Sequence, residues 1–88
     1  MTIAAKIDAA IAANEAATVD SIDRYRLNGL SDQLRRYRCN LSRLMPDEQA
    51  IYAGPNMRGP AIEDLLRQSE SIRGALTQRL EQALGETK

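Results

Sequence analysis

Arg35, Arg36, Arg38 and Arg43 are the residues of this chain best suited by type and spacing to do chemistry. A guanidinium donates two parallel hydrogen bonds from a planar fork, which matches a carboxylate or a phosphate. On a helix the four project away from a stripe of Leu30, Leu34, Tyr37, Leu41 and Leu44, with Cys39 beside them. Such a face can track a nucleic-acid backbone or meet an acidic partner. Tyr37 falls on the apolar stripe, so it reads as core and not as a platform for stacking bases. Asp32 is spaced to pair with Arg35 or Arg36 within the helix, and Glu63, Asp64 or Glu70 to pair across a hairpin or dimer. Solvated pairs of this kind are weak and common, so a self-neutralised arginine face is the plainer expectation.

The carboxylates group as Asp20 with Asp23, Asp47 with Glu48, and Glu63 with Asp64. A general acid needs an apolar or like-charged setting, and each of these pairs falls where solvated carboxylates open a helix. None gathers enough ligands for a metal ion. The arginines around Cys39 favour a thiolate, but the chain has no histidine, so a Cys–His nucleophile is impossible. Gly54, Gly59 and the prolines near them do not reproduce a phosphate-cradling loop. A non-enzymatic protein with no cofactor and no metal is expected.

At 88 residues and 9.7 kDa the chain is one small domain. Apolar residues make up 43% of it, but much of that share is alanine, with no Phe, no Trp and three Tyr. So few large apolar side chains leave a lone monomer marginal, and self-association, with a dimer favoured, or a partner protein is expected. The net charge is zero, so no global field draws the chain to nucleic acid or membrane. Locally the charge is uneven. Arg24 to Arg43 hold six arginines against Asp32, and the flanking segments are acidic. One cysteine excludes an internal disulfide. The alanine-rich start, broken by Lys6 and Asp8, does not read as a secretory leader, and the longest uncharged run, Gln49 to Met57, is half a membrane span. Asn40-Leu41-Ser42 matches a glycosylation sequon by accident. The expected location is the cytoplasm, or an assembly built there, with no membrane contact.

Helices must position these groups. Gly59-Pro60 sets a helix start, because proline needs no amide donor at the first position. Ile62, Leu65, Leu66, Ile72, Leu76, Leu80, Ala83 and Leu84 then form one apolar face with Ser69 as its only polar member. Glu63 and Arg67 are spaced to pair, and Gly85 is a natural stop. This gives a helix over 60–84. Leu30, Leu34, Tyr37, Leu41 and Leu44 repeat at spacings of 4 and 3, as in a coiled coil, and predict a helix over 31–45 that Met45 extends and Pro46 ends. Asn28-Gly29 reads as a break between it and a helix over 19–28, with Ser31 or Asp32 as a fresh cap; a continuous helix from about 18 to 45, with Arg26 inside its apolar face, is the alternative. The first helix, over 2–17, is capped by Thr2 and carries Ile3, Ile7 and Ile11. Asn14 on that stripe marks where the helix leaves the core, unless it is a buried amide that sets register. A short turn over 47–53 and a loop over 54–59 complete the chain.

The expected fold is all-α: an antiparallel hairpin of helices 31–45 and 60–84, joined by the N-terminal helix in a three-helix bundle or a swapped dimer. Its core or self-association stripe is Leu30, Leu34, Tyr37, Leu41, Leu44, Ile62, Leu65, Leu66, Ile72, Leu76 and Leu80. Tyr25 and Leu27 near one bend, and Ile51, Tyr52 and Met57 near the other, are candidate partner contacts, with plugging of the hairpin end the plainer role for Ile51 and Tyr52. In general shape the chain resembles small helical-hairpin proteins that act by contact, such as secretion chaperones, antagonists of transcription regulators and minor phage assembly proteins. That likeness implies a protein–protein interaction module, a regulatory antagonist, chaperone or assembly adaptor, that masks or bridges another protein. Nucleic-acid binding by the arginine face is the alternative.

Overall fold

A computed structural model describes residues 2–86, with the side chains at 76, 77, 80 and 86 outside that description. It is an all-α bundle: α1 (Ile3–Ala16), α2 (Ser21–Ser42), a short α3 (Pro46–Tyr52) and α4 (Gly59–Glu86). The described residues contain no strand. α1 and α4 both pack on α2, giving a rod of 54 × 21 × 18 Å.

Each helix begins where a side chain or a proline answers its free amides. The Thr2 hydroxyl accepts from the Ala5 amide at 3.1 Å. Asp20 Oδ1 accepts from the Asp23 amide at 2.8 Å, so Asp20 and not Ser31 or Asp32 caps the second helix. Pro46 opens α3, and Glu48 Oε1 accepts from the Met45 amide at 3.0 Å. Met45 therefore starts α3 instead of extending the α2 stripe, and it is exposed. At the end of α2, the Gln49 side-chain amide donates to the carbonyls of Leu41 at 2.9 Å and Leu44 at 3.1 Å, welding α3 to the helix before it.

α2 runs unbroken through Asn28-Gly29, so the two helices read over 19–28 and 31–45 are one. Glycine in mid-helix costs only about 1 kcal/mol. Against that, Leu27, Leu30 and Leu34 are all buried on one face, which a turn at Gly29 would disperse. Arg26 does not obstruct the face, because its guanidinium leans out and its side chain is 63% exposed. α4 passes through Gly85 to Glu86, so that glycine does not end it.

The loop after α3 is closed by backbone bonds from Arg58 to Tyr52 and from Gly59 to Gly54. Gly59 is required there: a Cβ would lie 2.4 Å from the Ala53 carbonyl oxygen and 2.6 Å from that of Gly54. One core cluster holds Ile7 and Ala10 of α1, Leu27, Leu30, Leu34 and Leu41 of α2, and Ile62 and Leu65 of α4. Tyr37, Tyr52, Leu66 and Ile72 pack against it half-buried, and Leu44 is half-buried as well. The stripe residues read from the sequence thus build the inside of a single chain. Leu76 and Leu80 belong to the same reading, but their side chains lie outside the described residues.

Candidate contact site

The arginine face of α2 divides in two. Arg38 Nε donates to both oxygens of Asp8 on α1, at 3.0 and 3.2 Å. Arg35 holds Asp32 at 2.8 Å within its own helix and also reaches Glu15 of α1. Acids of α1 therefore hold these two arginines; Glu63 and Glu70 of α4 make no ion pair among the described residues. Asp64 pairs instead with Arg67 along α4, where Glu63 was spaced to do so. Arg36 and Arg43 make no ion pair among the described residues and remain the solvated remnant of the face. Cys39 is exposed beside them.

Between the three long helices lies a polar seam. Asn14 is buried, its Nδ2 donating to Ser31 Oγ and to Ser69 Oγ at 3.1 Å each, and its Oδ1 accepting from Arg73. Asn14 is thus the register-setting amide and does not mark where α1 leaves the core. A wholly satisfied buried amide is stable only in one alignment of its partners, since any slip strands it without them. Arg24 reaches back from α2 to the carbonyls of Asn14, at 2.8 Å, and Ala17, closing the free end of α1. Asp23, also buried, accepts from Arg79 at 3.0 Å and ties the start of α2 to α4. Neither tie was visible beforehand, although Ser69 and Asn14 were the two polar interruptions of otherwise apolar stripes.

The apolar contact candidates separate clearly. Leu27 is fully buried and belongs to the core, so it is no contact residue. Tyr25 is 82% exposed, beside a cleft that runs over Gly29 between α2 and Ile72 of α4. At the other pole Tyr52 plugs the hairpin end, half-buried, with its hydroxyl accepting from Asn40 Nδ2 at 3.1 Å. Ile51 does not plug it: it is 67% exposed, and Met57 is 54% exposed. These two, with Leu44, Tyr52 and the stem of Glu48, line an apolar cleft of about 260 Å³; Met45, at the start of α3, is exposed as well. α3 holds Ile51 outward because its first turn is fixed at Met45 and its last residue, Tyr52, faces in.

Among the described residues no three His, Cys, Asp or Glu side chains come together as metal ligands would, and no helix is long and apolar enough to cross a membrane. Compared with protein families, characterised proteins and solved structures, the chain matches none of them.

Proposed function

We propose that the protein is a non-enzymatic contact module, a small helical bundle that masks or bridges another protein through its α3 pole. The observation that carries this reading is the exposure of Ile51 and Met57 around one cleft. Large apolar side chains grouped on a surface mark contact sites more often than isolated ones do. Methionine adapts to the shape it meets. The cleft has room for one large apolar side chain, so the partner fitted to it is a protein segment that presents a leucine, phenylalanine or similar residue. In this reading the protein acts in the cytoplasm, where an exposed single thiol such as Cys39 stays reduced. The competing reading, phosphate binding by the arginine face, has two of its four arginines occupied by α1 carboxylates.

Affinity capture from lysate, with and without nuclease, compares three forms of the chain. The expected result is one stoichiometric protein held by the wild type at high salt, lost with Ile51→Asp plus Met57→Asp, and kept with Arg36→Glu plus Arg43→Glu. Both pairs are exposed, so both variants should fold, which circular dichroism checks. Loss with the arginine pair alone, or on nuclease treatment, overturns the proposal in favour of nucleic acid.

A further inference from the structure

We infer that α1 is an exchangeable helix, and that the seat it fills on α2 and α4 takes α1 from a second copy of the chain. The inference goes beyond the contact reading of the α3 pole and does not depend on it. Four arginines from two helices end on α1. Arg38 meets Asp8, Arg35 meets Glu15, Arg73 meets the Asn14 amide oxygen, and Arg24 meets the carbonyls of Asn14 and Ala17. The seat therefore recognises a definite pattern: acids seven residues apart, Asp8 and Glu15, each following a buried residue, Ile7 and Asn14. A second copy presents the same pattern to the same seat, so exchange replaces each of these contacts with its equal.

α1 is also the shortest of the three long helices, 14 residues against 22 and 28. Ile7 is its only fully buried large aliphatic side chain, with Ile3 and Ile11 half-buried against the core. Its flanking ion pairs are open to solvent and to salt. The joint that would swing is four residues, 17–20, and the backbone is already extended at both ends of it: ψ is 135° at Ala17 and 175° at Asp20. The α2 cap comes from Asp20 itself, so the start of α2 survives the departure of α1. What is given up is confined to the joint, chiefly the half-buried Val19.

The fold also points to where two copies would meet. The joint lies at the pole where α4 outruns its neighbours: α1 ends at Ala16, the Asp23–Arg79 pair marks the start of α2, and α4 continues to Glu86. Residues 81–85 are exposed there, with Leu84 at 70%. Reciprocal exchange brings these two overhanging ends together, covering apolar surface that one copy leaves wet.

Charge reversal tests the exchange directly. One variant carries Asp8→Arg and Glu15→Arg, and the other carries Arg35→Glu and Arg38→Glu. Alone, each pairs its own α1 with a seat of like charge; mixed, each finds its match only by trading α1. The native Cys39 thiol, exposed on α2, takes a donor dye in one variant and an acceptor in the other. The expected result is energy transfer from a mixed dimer of twice the 9.7 kDa chain mass, at least about tenfold more abundant than dimers of either variant alone. Excess unlabelled peptide of residues 2–17 should dissolve it. If both variants are helical by circular dichroism yet the mixture stays monomeric, the inference fails. It fails equally if dimers form without preferring the mixed species. Should a double reversal not fold, the single pair Asp8→Arg with Arg38→Glu repeats the test.

Discussion

α1 and α4 both pack on α2, and they hold it by different means. α4 presents Ile62 and Leu65, with Leu66 and Ile72 at the margin, to a row of buried leucines. α1 presents one fully buried isoleucine, the half-buried Ile3 and Ile11, a tight alanine and an asparagine, and it adds hydrogen bonds from arginine. Apolar area adheres strongly but says little about alignment, because a helix that slides one turn still buries leucine against leucine. A buried amide with three partners holds less strongly and permits one alignment only. The bundle thus draws adhesion from both pairings and much of its register from α1.

The largest test of that contrast is Ile62→Ala. Cutting a fully buried aliphatic residue down to a methyl group should cost about 3 kcal/mol, and urea unfolding followed by circular dichroism should show one cooperative loss across the whole chain. Asn14→Ala should cost about 2 kcal/mol, because it strands Ser31, Ser69 and Arg73. Its signature is different: hydrogen exchange should speed up along α1 while the amides of α2 and α4 stay protected. If Asn14→Ala instead loosens all three helices alike, the division of labour between α1 and α4 is wrong. Gly29→Ala should raise stability by about 1 kcal/mol in the same urea titration, since no atom lies within 4 Å of where the new Cβ would be. A decrease there would mean that α2 bends at Gly29 in solution. Smallest of all, Arg35→Ala should cost no more than about 0.5 kcal/mol, its side chain being about half exposed and its pairs screened by solvent.

What could be read from the chain beforehand follows the same divide. Periodicity and caps marked α4 at Gly59-Pro60, α1 at Thr2 and the α3 turn at Pro46, because these signals lie within a few residues of one another. The continuity of α2 is not legible at Asn28-Gly29, where the local turn signal is strong and the opposing evidence is the burial of leucines on either side. Local sequence leaves both fates of Asn14 open, because the outcome depends on Ser31, Ser69 and Arg73, the last of them 59 residues away. The arginine face was recognised by type, but nothing short-range assigns Arg35 and Arg38 to acids of the first helix. Among the apolar contact candidates, Ile51 and Tyr52 are neighbours with opposite fates, and only the placement of α3 decides which one faces out.

The Arg24 clasp and the seam beneath it bear on how the bundle is made. A helix of 14 residues is marginal in water, even one rich in alanine. During synthesis α1 leaves the ribosome before any of its partners. Arg24 follows soon after, but Arg73 trails Asn14 by 59 residues, which at about 5–20 residues per second is a wait of roughly 3 to 12 seconds. Through that interval α1 has no finished seat, while neighbouring ribosomes on the same message carry others at every stage of completion. α1 is translated before the seat that secures it, and the crowding of nascent chains bears on whose bundle it joins.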